Sequence, residues 1–378
     1  MYSLRSYGNM IADKGRTGPY VEALRRVVKP GSVVVDIGTG AGVLAFMACR
    51  FGARRVHAIE PGDAIEVARD IAAANGMADR IEFHQRMSTE VEISERADVV
   101  VAEIHGILPI FQRYLPTLAD ARERFLAPGG TMIPLRDTVW AAVVEAPQLH
   151  ESLTAPWGES MGVDMTAARR LITNDMYGAE FAASQLLTEP AHCATFDHDR
   201  SHRPDVSFPL SWRATRDGTG HGFAAWFDAQ VGEGLVISNA PGKPPLIFGN
   251  AYFPWPEPVT LRVGDTIEIG VQAKLLDQAY LWQWTTRVHG PGGRRASFTQ
   301  GQFDGAVLVP ERLRRRAASY TPRLNEDGEI ERFILQRMAE RRSLGDISHE
   351  LCRRYPHRFT QWRDALAHVG EISGRCGD

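Results

Sequence analysis

Between residues 32 and about 140, apolar positions fall alternately into short β-branched runs and longer helix-length segments. That alternation predicts an open α/β sheet. Val33, Val34 and Val35 are apolar at every position, as a strand covered on both faces of a parallel sheet must be. Strands are expected at 32–37, 55–59, 80–85, 98–102 and 130–134, and helices at 42–51, 64–75 and about 114–125. After Pro134 the pattern changes. From about 192 to 310, short β runs such as SFPLSWRAT and VTLRVGDTIEIGVQA are punctuated by Gly and Pro, which predicts an all-β barrel or sandwich. Residues 157–187 read as a helical, amphipathic arm set into that region. Trp282 and Trp284 alternate as on a strand and are expected half in the core and half at the barrel surface.

The tail has helical periodicity again. A basic connector, ERLRRRAAS, read as a solvated linker, precedes a helical block at 323–374. Ile330, Phe333, Ile334 and Met338 share one helix face, Leu344, Ile347 and Leu351 a second, and Phe359, Trp362, Leu366 and Val369 mark a third. Ser343 is placed to cap the second helix. The expected division is therefore 1–136, 137–310 and 311–378.

Composition narrows the class without naming a function. A chain of 378 residues has room for about two domains and a small third, and 44% hydrophobic with 24% charged residues is ordinary for a globular protein. A net charge of −3 argues against bulk nucleic-acid binding. Cys49, Cys193, Cys352 and Cys376 show neither metal-ligand spacing nor a disulfide framework. No signal peptide or membrane-length apolar run is visible, so a cytoplasmic location and no membrane partner are expected. His192, His198, His202 and His221 sit in polar stretches without ligand spacing, and no metal site is expected.

The candidate chemistry begins where the first strand ends. Asp36 closes it, and Gly38, Gly40 and Gly42 lead into an apolar helix-length run. A dinucleotide fingerprint would have its third glycine at position 43, which is Val43; the spacing here is G-x-G-x-G. Glu60 ends the second strand, 18 residues after Gly42. An acid there can accept both hydroxyl hydrogens of a ribose, which supports nucleoside binding without naming the nucleoside.

The glycine spacing resembles the first motif of class I S-adenosylmethionine-dependent methyltransferases. With SYGNMIADKGRTGPY before it and RMSTEV and AEIHGILPIFQRYLPTLADARERFLAPGGTMIP after it, the chain resembles the protein arginine methyltransferases over roughly residues 2–300. The resemblance implies a Rossmann-like methyltransferase sheet at 1–136, then a β-barrel domain at 137–310 with a helical dimerisation arm, and a homodimer. It implies S-adenosylmethionine as cofactor, with Tyr7 and Met10 over it and Arg16 on its methionyl carboxylate. The glycine loop of Asp36, Gly38, Gly40 and Gly42 would hold it, with Glu60 on the ribose and Met87 and Ser88 beside adenine. Glu103 would stand between cofactor and acceptor.

The departures lie in the acceptor loop. That family holds a guanidinium between two glutamates, whereas this chain has Glu103 and then Gln112. Ile247 and Phe248 stand where the family has histidine and tryptophan. One carboxylate with an amide binds a cation less well than a carboxylate pair, so the acceptor nitrogen need not be arginine's. His105, two residues after Glu103, is new to this loop, and an imidazole is a side chain suited to serve as a general base. The catalytic candidates are thus Glu103, His105 and Gln112.

The tail, LNEDGEIERFILQRMAERRSLGDISHELCRRYPHRFTQWRDALAHVGEIS, resembles the helical part of PqqD-like peptide-recognition domains, which are winged-helix-like and bind leader peptides of ribosomally made, later modified peptides. That resemblance implies a precursor-peptide substrate tethered at high effective concentration. The expected activity is methyl transfer to a nitrogen of a peptide or protein side chain. Methylation of a free small molecule and a catalytically silent binding protein are the alternatives.

Overall fold

Two capped helices open the computed structural model, which describes residues 3–377. Met1, Tyr2 and Asp378, at the ends of the first and third expected domains, lie outside the described residues. Ser3 caps α1 (Leu4–Ala12) and Asp13 caps α2 (Lys14–Val27), each side chain accepting a backbone N–H three residues on. The chain then builds β1 (Val33–Ile37), α3 (Val43–Arg50), β2 (Arg55–Ile59), α4 (Ala64–Ala74), β3 (Ile81–His84), β4 (Ala97–Ala102), α5 (Tyr114–Arg124) and β5 (Leu126–Ile133). The five strands pair in parallel in the order β3-β2-β1-β4-β5. All five residues of β1 are buried, because strands lie on both its sides and helices cover the sheet faces.

The next segments are β6 (Arg136–Val144), α6 (Pro147–Thr154), β7 (Glu159–Ser160), β8 (Val163–Asp164), α7 (Arg169–Thr173) and β9 (Tyr177–Ala179). The arm is therefore mostly not helical, contrary to the amphipathic reading. Met161 and Gly162, both at positive φ (51° and 76°), turn β7 back onto β8 as a two-residue hairpin. Within the expected arm only the five-residue α7 and two short 3₁₀ turns lying wholly inside it are helical.

Eight longer strands follow: β10 (Ala191–Asp197), β11 (Val206–Arg213), β12 (Gly218–Gly232), β13 (Leu235–Ser238), β14 (Asn250–Leu261), β15 (Thr266–Leu276), β16 (Ala279–Gly290) and β17 (Gly293–Gly301), with the single-turn α8 (Gln302–Gly305) after them. They form two antiparallel sheets, β10-β6-β12-β14-β9 with β13 beside β12, and β11-β15-β16-β17. The sheets meet through Phe253, whose ring centroid lies 5.5 Å from that of Trp282 and 5.2 Å from that of Trp284. Both tryptophans are buried, 3% and 1% exposed, rather than divided between core and surface. Residues two apart on a strand share a face, and here that face is inward. One apolar core runs from β1 through β6 to β16.

Contacts divide the chain into Met1–Ala306 and Val307–Asp378. The second unit comprises α9 (Pro310–Arg315), α10 (Glu326–Ala339), α11 (Leu344–Arg354) and α12 (Trp362–Cys376). The Asp346 N–H donates to the Ser343 hydroxyl at 3.2 Å, so Ser343 does cap α11. Ile330, Phe333, Ile334, Ile347, Leu351, Val369 and Ile372 form its own core, whereas Leu344 and Trp362 stay exposed. Among the described residues this unit contains no strand.

Candidate active site

The strand order reverses between β1 and β4, and the carboxyl ends of the strands there border the crevice that open α/β sheets use for ligands. Gly38 and Gly40 take left-handed φ values of 73° and 52°, which bend the chain sharply after β1. A Cβ on Gly40 would lie 2.6 Å from the Tyr7 ring, so α1 lays that ring directly against the turn. The Glu60 carboxylate accepts the N–H of Gly40 at 3.2 Å and of Gly62 at 2.8 Å. It is thereby fixed beside the glycine turn.

Asp36, expected among the cofactor contacts, is 1% exposed and accepts the Thr39 hydroxyl at 2.6 Å, bracing the turn. Burial pushes its carboxyl up to about 6, against the opposing pull of the Thr39 and Ala45 hydrogen bonds. Met87 and Ser88 follow β3; Met87 is 44% exposed, and the buried Ser88 lends its carbonyl to Arg124 at 2.6 Å.

Arg16 and Glu103 meet face to face. Arg16 Nε donates to Glu103 Oε1 at 2.8 Å and Nη2 to Oε2, a bidentate fork, while Nη1 donates to the Met10 carbonyl at 3.1 Å. Both side chains are nearly buried, at 12% and 8% exposure. The Phe248 ring lies 5.8 Å from the Arg16 guanidinium carbon, so the loop aligned with the family's histidine–tryptophan position does reach this point. Ile247, beside it, is exposed and donates its N–H to Asp13 at 2.9 Å.

The other two candidates depart from expectation. Gln112 is exposed, with a φ of +43°. His105, expected as a base, is sealed: its side chain is 1% exposed and stacks on Phe227 at 4.9 Å between centroids. Its Nε2 donates to Asp137 Oδ1 at 2.9 Å and Nδ1 faces the Tyr20 hydroxyl at 3.4 Å. Asp137 also accepts from His198 at 2.8 Å and from the Tyr114 hydroxyl at 2.7 Å. Burial, the largest influence on Asp137, pushes its carboxyl up. The two imidazoles outweigh it and hold the group well below the usual carboxylate range. Burial also raises the Tyr20 and Tyr114 phenols, which stay protonated donors. The network ties the acceptor loop to α2, α5 and the first strand of the β domain.

Asp137, Tyr20 and Tyr114 were not foreseen, and His198 was read as a loop residue. The one local signal is Asp137 itself, a charge in the apolar strand RDTVWAAVV.

This geometry can be set beside known proteins. Residues 16–134 match the family model described as ribosomal protein L11 methyltransferase, and 136–279 match the arginine methyltransferase oligomerization subdomain. An arginine N(omega)-methyltransferase of Streptomyces achromogenes subsp. streptozoticus is 31% identical over 270 residues, covering 69% of this chain and 73% of its own. A probable protein arginine N-methyltransferase 6 of Arabidopsis thaliana is 30% identical over 231 residues, 58% of this chain and 53% of its own. The chain thus spans about half of that plant relative's length. In fold it is similar to the Trypanosoma brucei PRMT1 enzyme–prozyme complex with AdoHcy (TM-score 0.72, 21% identity, 78% of this chain and 96% of that one). It is also similar to Arabidopsis thaliana protein arginine methyltransferase 10 (TM-score 0.69, 20% identity, 79% and 97%). A glycine turn with an acid at the next strand end, a buried arginine–glutamate fork at the crevice, and these matches agree: the chain belongs to the arginine methyltransferase family of S-adenosylmethionine-dependent methyltransferases.

Proposed function

We propose that the chain transfers a methyl group from S-adenosylmethionine to a nitrogen of a peptide or protein side chain, of arginine or another residue, oriented by Glu103. The observation that carries this reading is the Arg16–Glu103 fork at the carboxyl end of β4, in the same crevice as Glu60 and the glycine turn. The residues fit the cofactor. Gly38 and Gly40 let the main chain turn sharply at left-handed φ, Tyr7 covers that turn, Glu60 retains acceptor capacity for ribose hydroxyls, and Met87 and Ser88 follow β3. Arg16 supplies positive charge for a methionyl carboxylate while it orients Glu103. When bound, the cofactor brings a methyl group on an already activated sulfonium. The protein's part is to align the acceptor nitrogen, accept its N–H at Glu103 and exclude water. His105 acts here as a positioning residue rather than a base, and exposed Gln112 contributes at most at the rim.

Two substitutions test the cofactor half. Gly40→Ala forces a side chain into left-handed backbone against Tyr7, a penalty of roughly 1–2 kcal/mol. It is expected to weaken S-adenosylhomocysteine binding by about tenfold in calorimetry. Glu60→Gln removes a charged acceptor worth about 1.5–3 kcal/mol, so affinity should fall about 10- to 100-fold. Unchanged affinity in both would remove the cofactor assignment.

The acceptor half is tested with labelled S-adenosylmethionine and mass spectrometry on arginine-containing peptides and on free arginine. A second reading, a free small-molecule acceptor, is favoured by the name of the Streptomyces relative, which specifies arginine and no protein. The tail, with its own three-helix core, supports a module that recognises the leader of a precursor peptide. Deleting 307–378 should then abolish transfer to such a peptide and spare transfer to free arginine. Exposed Met161 (98%) and Val163 (59%) at the hairpin tip support a homodimer through the arm. Among the described residues no helix is long and apolar enough to cross a membrane. Four unpaired cysteines support a reducing compartment, the cytoplasm.

A further inference from the structure

On the edge of the parallel sheet, His57 of β2 stands directly across from Glu82 of β3, and His84 lies two residues further along the same face of β3. His57 Nδ1 and His84 Nε2 are 3.2 Å apart. Carboxylate oxygens of Glu82 lie 3.5 Å from the first and 3.7 Å from the second. Around a four-coordinate zinc ion with bonds of about 2.0–2.1 Å, donors are separated by about 3.3–3.4 Å. The separation of the two imidazole nitrogens falls within a few tenths of an ångström of that edge, and one donor atom from each of the three residues lies within 4.8 Å of the others.

The donor set selects the ion. Two imidazoles and one carboxylate suit zinc and its neighbours, whereas calcium and magnesium require oxygen-rich shells. A direct hydrogen bond between the two rings accounts for their approach but not for the convergence of Glu82. That carboxylate has Arg55 at 3.5 Å as its other partner. His57 is buried while Glu82 is 48% exposed, so the fourth ligand position opens outward to water. A cavity of about 530 Å³ lined by Glu82, His84 and Arg69 adjoins it.

We propose that His57, Glu82 and His84 bind one zinc-type divalent transition-metal ion, with water as fourth ligand, clipping the edge strand β3 to β2. This proposal runs against the expectation of no metal site, which considered histidines elsewhere in the chain. It is independent of the methyl-transfer assignment.

The test uses the full chain, stripped with a chelator and titrated with zinc against a chromophoric competitor. One zinc per chain with a sub-micromolar dissociation constant is expected, together with a rise in melting temperature. Cobalt(II) should give the strong visible bands of a four-coordinate site. Glu82→Gln and His84→Ala alter partly exposed side chains and should leave the circular dichroism unchanged while weakening binding by at least about 100-fold. Cys376→Ser, which removes the exposed thiol, should bind as the wild type does. Wild-type binding that is weak or substoichiometric overturns the proposal, as does tight binding that survives His84→Ala.

Discussion

Glu103→Gln is expected to lower kcat by about 10²- to 10³-fold while S-adenosylhomocysteine affinity falls less than about tenfold. Removing one preorganised polar group that acts on the reacting centre usually accounts for about 2.7–4 kcal/mol of the barrier. The glutamine keeps the shape of the side chain and loses its charge. It also sets an amide N–H₂ against one prong of the Arg16 fork, where both glutamate oxygens now accept. The acceptor nitrogen would then lose its hydrogen-bond acceptor and its orientation together. Arg16 keeps its bond to the Met10 carbonyl, so the cofactor side suffers less. Single-turnover rates with arginine peptides, alongside calorimetric cofactor affinity, separate the two effects. Equal losses in both would move Glu103 from the acceptor to the cofactor. An unchanged kcat would remove it from the reaction.

Part of the crevice was legible in the sequence because Gly38, Glu60 and Glu103 each follow a strand. Those strands are apolar enough for their burial to be dictated locally, and parallel pairing brings their ends together, whereas Tyr7 and Arg16 come from α1 and α2. The tail was legible for a similar reason, since helical periodicity specified which faces of α10, α11 and α12 pack. Other features depend on backbone turns or distant partners. The arm reads as amphipathic until Gly162 adopts left-handed φ and folds it into a hairpin. Gln112 stands where the family's second glutamate aligns, but its exposure and its φ of +43° are set by the folded loop and not by the local pattern. His105 reads as a base because it follows Glu103 by two residues and carries an imidazole. Its partner Asp137 lies 32 positions away, and His198, which shares that carboxylate, lies 93 away, so no local pattern announces them. The zinc-type cluster escaped for the same reason, since it forms only when β2 and β3 pair in their observed register.

Asp137→Asn is expected to destabilise the chain by about 3–5 kcal/mol, the range for removing one partner from a buried charged network. Asp137 is 0% exposed and its two oxygens serve His105, His198 and Tyr114. An asparagine offers one oxygen and turns an N–H₂ group toward a donor, leaving a buried N–H unpaired. The same network sets a pH dependence. Its carboxyl is held below the ordinary range, so the folded state releases that proton more readily than the unfolded chain does. The stabilisation is therefore complete above about pH 4, the ordinary carboxylate value, and is lost as pH falls through the lower folded value. Urea unfolding followed by tryptophan fluorescence reports on the relevant unit, because seven of the eight tryptophans lie within residues 1–306. The wild type should lose stability steeply in acid, and the variant should start lower with a shallower acid limb. Because His105 follows Glu103 by two residues, the variant should also lose turnover under conditions where it remains folded. Matching urea midpoints and parallel acid limbs for the two proteins would show that the carboxylate at 137 holds neither the fold nor the loop.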